Sequence, residues 1–284
     1  MAAFKRLNHF FSTHPLTREA PLRAWARFFS WQLRSRMQKE LIVPWIAGQR
    51  LAIRRGMTGA TGNVYAGLHE FADMLLALHF LREGDLFLDI GANVGSYTVI
   101  GSGVCRASTW AFEPDPNTAL ALKRNVAING LDALVTVHEL ALGATQGETL
   151  FTVGLDTINK VAAAGETNVR TIHQERLDAL IGAAKPVMIK MDVEGYEEEV
   201  LRGASDLLAN ECLKVIEIET VTSKSVELLL KNHFERAYYD PFNRSLNREP
   251  VGANSNNSVF VRDWPFVSER LRVATKIKVL GQEI

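Results

Sequence analysis

The stretch "FLDIGANVGSYTVI" (residues 87–100) decides the fold of this chain. It begins as an apolar run typical of a buried strand, places Asp89 near the end of that strand, and then turns through Gly91 and Gly95. Glycine allows positive φ angles and close approach of a ligand to the backbone. In a doubly wound sheet, ligands bind beyond the carboxyl ends of the strands, where the strand order reverses. The turn therefore predicts a ligand site, with a tight turn that holds no ligand as the alternative.

From about residue 84, short apolar segments alternate with helical patterns, which is typical of a mostly parallel sheet covered by helices. We predict strands at 85–90, 108–113, 133–139, 186–192, 214–219 and 257–262, with two further strands at 147–153 and 168–173. The helix after the second strand has Asp115 as its N-cap, Pro116 as its first residue and Gly130 as its stop. The expected fold is α/β with a doubly wound sheet.

Two classes of cofactor compete for the glycine turn. The dinucleotide fingerprint G-x-G-x-x-G needs a glycine where this chain has Asn93, and Asp89 would repel a pyrophosphate. A ligand with a cationic end suits an acid better, and the ammonium and sulfonium groups of S-adenosylmethionine fit. Glu113 ends the second strand, where an acid accepts hydrogen bonds from ribose hydroxyls, and Pro114 makes the turn around it rigid. A nucleotide-dependent oxidoreductase is the rival interpretation.

Five segments, in their order and approximate spacing, resemble the FkbM-type methyltransferase family: "DIGANVGSYT", "FEPDP", "NVAINGL", "ERLDAL" and "IKMDVEGYEEEVLRGA". The resemblance covers roughly residues 63–262, and its most specific motif, K-x-D-V-E-G-x-E, is intact. It implies a class I methyltransferase (Rossmann-like) fold, S-adenosylmethionine as cofactor, and methylation of hydroxyl oxygens of sugars or secondary metabolites. It also implies a cofactor site formed by Asp89, Gly91, Ala92, Asn93, Gly95, Glu113 and Pro114.

The fourth long strand carries the candidate catalytic residues. Lys190 and Asp192 are two residues apart on a strand, so they share one face, and Glu194 follows at the turn into a helix. Because an alcohol acceptor must be aligned and must lose its proton, we predict that Asp192 orients or deprotonates it and that Glu194 shapes its pocket. The structural alternative makes Lys190 an interior lysine that neutralises Asp89, Asp192 or Glu217.

A divalent metal is a further alternative at this strand. Carboxylates of Asp192, Glu194 and Glu219 are oxygen ligands of the kind that Mg²⁺ prefers. The spacing of these residues does not require an ion, and the five histidines between residues 69 and 233 have no metal-ligand spacing. We therefore predict no metal ligands.

Composition limits the possible functions. The 284 residues contain 32 basic and 32 acidic side chains, and zero net charge argues against a dedicated nucleic-acid binder. Two cysteines, Cys105 and Cys212, are too few for a disulfide framework, which favours a reducing compartment. The sequence start lacks a signal-peptide core, and we find no apolar run near the roughly 18 residues of a membrane span. The expected location is the cytoplasm.

The first 62 residues read as a basic, helical extension that precedes a methyltransferase domain at 63–284. Residues 1–55 contain eleven basic and two acidic residues, a net charge of +9, so the remainder carries −9. Between about 21 and 41, Leu22, Trp25, Phe29 and Leu33 recur at helical steps and form one apolar face. Either this helix packs on the catalytic domain, with its arginines near the domain's acids, or it lies on an anionic membrane surface.

These observations predict an S-adenosylmethionine-dependent O-methyltransferase whose acceptor is a small molecule or a glycan, with a sugar hydroxyl favoured. Nucleic acid is not an expected partner. A catalytically inactive, cofactor-binding regulatory protein is the alternative from another functional class, and the intact fourth-strand motif speaks against it. The sequence makes no prediction about the oligomeric state.

Overall fold

The computed structural model describes residues 2–154, 159–162, 165–250 and 257–284. These residues form strands β1 (Leu41–Pro44), β2 (Arg50–Ile53), β3 (Leu86–Ile90), β4 (Ser108–Phe112), β5 (Val135–His138), β6 (Ala141–Leu142), β7 (Gly147–Thr152), β8 (Val169–Glu175), β9 (Pro186–Met191), β10 (Val215–Ile218), β11 (Glu235–Asp240), β12 (Ser245–Asn247), β13 (Ser258–Val261), β14 (Lys278–Val279) and β15 (Gln282–Glu283).

Eight of these strands form one central sheet in the order β12-β11-β13-β10-β9-β3-β4-β5. Strands β5, β4, β3, β9 and β10 run parallel, whereas β13, β11 and β12 join through antiparallel pairs. The chain moves outward in one direction from β3 and returns at β9 to build the other half, so the switch point lies between the carboxyl ends of β3 and β9. This topology confirms the predicted class I methyltransferase fold with a mostly parallel, doubly wound sheet.

Helices cover both faces of this sheet. They are α1 (Ala2–Thr13), α2 (Pro21–Met37), α3 (Thr58–Ala66), α4 (Phe71–Phe80), α5 (Ser96–Thr98) with a π-helical continuation (Val99–Val104), α6 (Pro116–Ile128), α7 (Leu177–Ile181), α8 (Glu197–Arg202), α9 (Ser205–Ala209), α10 (Ser223–Lys231) and α11 (Trp264–Arg272). The predicted signals of α6 are confirmed: the Asp115 carboxylate accepts a hydrogen bond from the Thr118 N–H, and Gly130 follows with φ of +64°. None of the helices within the described residues is long and apolar enough to cross a membrane.

The core follows the strand period of two. In β3, Phe87 packs into the cluster on one face of the sheet and Leu88 into the cluster on the other; Met188 and Ile189 of β9 divide in the same way. All four side chains are fully buried. Parallel strands covered on both faces are expected to be apolar on both faces, so these runs fix the central strands.

The N-terminal segment packs directly on the sheet domain. Residues of α1, α2 and the β1–β2 hairpin share a third core cluster with residues that follow β3 and with α6. The Asn125 amide joins the two parts, because it accepts from the Ala52 N–H at 2.7 Å and donates to the Val94 carbonyl at 2.8 Å. The predicted helix near residues 21–41 is present as α2, whereas α1 and the hairpin were not predicted. The predicted domain boundary between residues 62 and 63 stays a prediction. Residues before and after this boundary pack in the same core cluster.

The two strands predicted at 147–153 and 168–173 are present as β7 and β8. They pair antiparallel and form a separate three-stranded sheet with β6, beside the large sheet. Part of the connection between them, at 155–158 and 163–164, lies outside the described residues. This small sheet supplies one wall of the candidate site described next.

Candidate functional site

The glycine turn after β3 is held tightly against the residue that follows β9. Gly91 has φ of +75°, and a β-carbon at this position would lie 1.8 Å from the backbone oxygen of Asp192. The Gly91 N–H and the Ala92 N–H both donate to the Phe112 carbonyl at the end of β4, at 3.0 and 2.9 Å. Only glycine fits this approach. The turn is therefore fixed to both neighbouring strands at the switch point.

The Glu113 carboxylate is oriented by two backbone groups. Its Oε2 accepts from the Asn93 N–H at 3.0 Å and its Oε1 from the Asp115 N–H at 2.9 Å. Asn93 has φ of +50°, which turns its N–H toward the acid. Burial raises the pKa of Glu113 to about 7, against the lowering effect of the two N–H donors. Glu113 and Pro114 lie together in the wall of a narrow cavity.

Asp89 lies behind the glycine turn. Its side chain is fully buried, its Oδ2 accepts a 2.6 Å hydrogen bond from the Thr98 hydroxyl, and its Oδ1 has no hydrogen-bond partner among the described residues. Burial raises its pKa, and Lys190 acts in the opposite direction. Asp89 is absent from the walls of the cavities described below. Its direct contact with a cofactor stays a prediction, while its contact with Thr98 supports the turn from beneath.

Lys190 and Asp192 form an ion pair, and Asp192 is one of the three partners that the structural alternative named for this lysine. The Lys190 ammonium donates to Asp192 Oδ2 at 2.8 Å and stands 4.8 Å from the centre of the Tyr97 ring. Burial disfavours the charged ammonium, but Asp192, Glu70 and Asp89 hold the pKa of Lys190 above its ordinary value. Burial also opposes ionisation of Asp192, yet Lys190 holds the pKa of this carboxyl below its usual value. The pair is therefore charged at neutral pH, with one Asp192 oxygen fixed by the lysine.

Tyr97 and Glu70 complete the surroundings of Lys190, and the hydrogen bonds between them were not predicted from the sequence. The Tyr97 hydroxyl donates to Glu70 Oε2 at 2.8 Å and lies 3.2 Å from Glu217 Oε1. Tyr97 and Thr98 lie inside the stretch that decided the fold, two and three residues after Gly95. Their position at the start of a helix beside the switch point was the signal that could have identified them.

Three carboxylates meet at the mouth of the site. Oxygen atoms of Asp192, Glu194 and Glu219 lie within 4.8 Å of one another. Burial and the neighbouring Asp192 raise the pKa of Glu219 to about 8, and burial raises the pKa of Glu194. Such a group is stabilised either by a proton on Glu219 or by a divalent cation with oxygen ligands. The structure thus brings together the three residues that the sequence analysis named as the metal alternative.

Two cavities meet at the predicted site residues. A large cavity of about 600 Å³ opens on one side of Asp192, and the narrow cavity with Glu113 and Pro114 opens on the other. Four residues line both of them: Gly91, Asn93, Asp192 and Glu194. Lys190 and Ala92 line the large cavity alone. Gly95 lies in neither wall and instead packs near Leu122 of α6.

The N-terminal helix forms a wall of the large cavity, which the sequence did not predict. Arg6, Leu7 and Phe10 of α1 line it together with residues of α3. The Phe10 ring packs on the His69 ring with centroids 5.3 Å apart, and burial lowers the pKa of His69, so the imidazole is neutral at pH 7. Arg6 and Lys190 are the basic residues of this wall. Because Lys190 is paired with Asp192, Arg6 is the cation open to a ligand there.

Comparison with known proteins agrees with these features. Residues 89–236, more than half of the chain, match the family model of the methyltransferase FkbM domain. The chain is 31% identical over 159 residues to hexuronic acid methyltransferase AglP of Haloferax volcanii. That match covers 55% of this chain and 65% of the relative, which is less than two thirds of the relative's length.

Solved structures resemble this chain only weakly as a whole. Methyltransferase FkbM from Methylobacillus flagellatus has 17% identity and a TM-score of 0.43, over 83% of this chain and 59% of that one. A TehB-like SAM-dependent methyltransferase from Corynebacterium glutamicum has 15% identity and a TM-score of 0.40, over 72% of this chain and 95% of that one.

Proposed function

Because this chain belongs to the FkbM methyltransferase family, we propose that it transfers a methyl group from S-adenosylmethionine to an oxygen atom of a sugar or glycan. The observation that carries the proposal is the junction of the two cavities at Gly91, Asn93, Asp192 and Glu194. A methyl group that passes between two ligands needs such a junction, since donor and acceptor must meet in line.

The narrow cavity and the glycine turn have the groups that this cofactor needs. Glu113 is held by two backbone donors in the wall of this cavity, where its carboxylate would accept hydrogen bonds from ribose hydroxyls, and the lack of a β-carbon at Gly91 lets the turn pack against the Asp192 backbone. The ionised Asp192 places negative charge at the junction, which favours a cationic ligand. When bound, the cofactor supplies a methyl carbon activated by the adjacent sulfonium.

The chain's own residues then act on the acceptor. Asp192 is held by Lys190 at one oxygen, and its carboxyl also has a hydrogen-bond contact with Glu219. An acceptor hydroxyl that takes the place of Glu219 would donate to Asp192 and be aligned with the methyl carbon. Methyl transfer would replace the methyl–sulfur bond by a methyl–oxygen bond, and the hydroxyl proton would pass to this carboxylate. Glu194, on a strained backbone with φ of +54°, shapes the acceptor side of the junction.

Arg6 favours an acceptor that carries a carboxylate. It lines the large cavity and forms no ion pair within the described part of the chain. Guanidinium groups pair with carboxylates through two parallel hydrogen bonds, and the relative from Haloferax volcanii is a hexuronic acid methyltransferase. We therefore propose a uronic acid residue as the acceptor, with Arg6 on its carboxylate and Asp192 on the reacting oxygen.

The direct test is product formation by the purified full chain. S-Adenosylmethionine is incubated with oligosaccharides that contain uronic acids and with matched neutral ones, and S-adenosylhomocysteine and added methyl groups are measured by mass spectrometry. Mild alkali then separates a methyl ester on the carboxylate, which is cleaved, from a methyl ether on a hydroxyl, which survives. Turnover only on neutral sugars would contradict the uronic acid, and no turnover on any acceptor of the panel would contradict the proposed reaction on sugars.

Glu113→Ala tests the cofactor site. We expect calorimetry to detect S-adenosylmethionine and S-adenosylhomocysteine binding to the natural chain but no NAD binding. The variant should bind both cofactor forms more weakly by about 1–3 kcal/mol, because ribose hydroxyls lose a buried partner. Glu148→Ala, at an exposed position of β7, is the matched control and should bind normally. NAD binding without any response to S-adenosylmethionine would reject the assignment in favour of an oxidoreductase.

Arg6→Gln tests the acceptor class. For a uronic acid acceptor we expect KM to rise roughly 10-fold or more, since a hydrogen bond to a charged group contributes about 1.5–3 kcal/mol. The turnover number and the KM of a neutral sugar should change little. Lys5→Gln removes the neighbouring charge, which is not in the cavity wall, and serves as the control. Equal losses on charged and neutral acceptors would mean that Arg6 supports the wall and does not recognise a carboxylate.

A further inference from the structure

The outer face of α2 carries an exposed apolar stripe. Leu22, Phe29, Leu33 and Met37 are 82%, 57%, 66% and 78% exposed. Their spacing, with the exposed Ala26 between the first two, follows the helical steps of four, three, four and four residues. Trp25 was predicted on this face as well; its ring stacks on Phe29 with centroids 5.5 Å apart but is only 9% exposed, so it lies at the inner edge of the stripe. The helix therefore has one apolar face that packs on the protein and a second that does not.

Positive charge surrounds this stripe, and the acidic side chains that the structure describes leave most of it without an ion pair. Within the described residues, Arg54 is the only one of the eleven basic side chains of residues 1–55 that forms an ion pair, with Glu40. Arg23 and Arg34 on α2 are exposed, and α2 contains no acidic residue. Close packing of the arginines against the domain's acids, which was one of the two expectations for this segment, is thus not observed among these residues.

We propose that the outer face of α2 docks on the surface of an anionic phospholipid bilayer. A helix with an apolar stripe flanked by arginines lies in the interface, with apolar side chains among the acyl chains and basic ones near the headgroups. A second copy of the chain fits this face poorly, because a two-fold contact would place the same arginines opposite each other. The apolar stripe and the unneutralised charge together select an anionic lipid surface.

The contact between α1 and α2 links the docking face to the large cavity. Phe4 of α1 is 59% exposed and stacks on Trp25 of α2 with ring centroids 4.6 Å apart, and Arg6 and Phe10 of the same helix lie in the cavity wall. The docking proposal does not depend on the proposed reaction, because lipid binding is measured without cofactor or acceptor.

Co-sedimentation with vesicles tests the proposal on the full chain. We expect binding to vesicles of phosphatidylglycerol mixed with phosphatidylcholine at low salt, weak binding to phosphatidylcholine alone, and loss of binding at high salt because exposed charges are screened. The double variant Phe29→Gln/Leu33→Gln should reduce the partition coefficient about 10-fold or more, since two buried apolar side chains are lost. Arg23→Gln/Arg34→Gln should also reduce the partition coefficient, by about 5-fold for each charge removed.

The control removes exposed apolar side chains elsewhere. Leu120→Gln/Leu230→Gln changes two exposed leucines of α6 and α10, and we expect it to bind vesicles like the natural chain. Thermal unfolding of every variant checks that the fold is kept. Failure of the natural chain to bind anionic vesicles at low salt would overturn the proposal. So would light scattering that shows a dimer which the Phe29→Gln/Leu33→Gln variant dissociates, since a second copy would then cover the face.

Discussion

Gly91→Ala is expected to abolish detectable cofactor binding and to reduce methyl transfer by at least about 10²-fold. The new β-carbon would lie 1.8 Å from the Asp192 backbone oxygen, so the turn and the loop after β9 must move apart. These two segments form the junction of the cavities, and a displacement of about 1 Å at a reacting centre costs about 10²-fold in rate. Alanine is also strained at a φ of +75°, by about 1–3 kcal/mol.

Gly84→Ala separates these two effects. Gly84 has φ of +85°, but a β-carbon there meets nothing within 4 Å. This control therefore carries the backbone strain without the collision, and it lies before β3, away from the cavities. We expect a modest loss of thermal stability and full activity for Gly84→Ala, against a larger stability loss and no activity for Gly91→Ala. If the two variants behaved alike in calorimetry and turnover, the close approach of Gly91 to Asp192 would not matter for function.

The features that the sequence predicted correctly depend on local chemistry. A buried parallel strand must be apolar on both faces, so "FLDI" could be assigned from composition alone. The cap at Asp115 depends on residues three positions apart. The shared face of Lys190 and Asp192 follows from the strand period of two. Each of these signals is contained in a few neighbouring residues, and the structure confirms all three.

The features that were missed depend on long-range packing. Periodicity alone does not tell how deeply each residue of α2 is buried: Trp25 and Phe29 stack on each other as one apolar face predicts, yet Trp25 is buried and Phe29 is exposed. The wall that α1 contributes to the cavity depends on a core shared with α6, more than one hundred residues away in the chain. In the same way, Asp89 lies near the end of its strand as predicted, but its bond to Thr98 turns its carboxylate behind the loop. Burial and orientation of this kind are set by tertiary contacts.

The second large effect is expected for Asp192→Asn. This change keeps the size of the side chain but removes its charge and its capacity to accept a proton. We predict a turnover number lower by about 10²-fold or more, which is the usual contribution of a general base, with little change in cofactor affinity. Lys190 keeps Glu70 and Asp89 nearby, so the fold should survive although the ion pair is lost. Turnover is measured as S-adenosylhomocysteine formation and affinity by calorimetry.

The pH dependence of stability gives this variant a second readout. Burial and Asp192 raise the pKa of Glu219 to about 8 in the folded chain, against an ordinary value of 4.5. A carboxyl whose pKa is raised by folding stabilises the fold at low pH, and this contribution is lost as the pH rises from about 4.5 to about 8. Asp192→Asn removes the neighbouring charge, so the melting temperature of the variant should fall less over this range than that of the natural chain.

Three outcomes for Asp192 have different physical meanings. Loss of turnover with a flatter stability profile fits a carboxylate that aligns the acceptor and shares a proton with Glu219. Full turnover in Asp192→Asn would leave Asp192 only as the structural partner of Lys190. Inhibition of the natural chain by a chelator, reversed by Mg²⁺, would assign the carboxylates of Asp192, Glu194 and Glu219 to a cation. A cation held by these oxygens would replace the proton that otherwise keeps the three acids together. The same cation would then orient the acceptor.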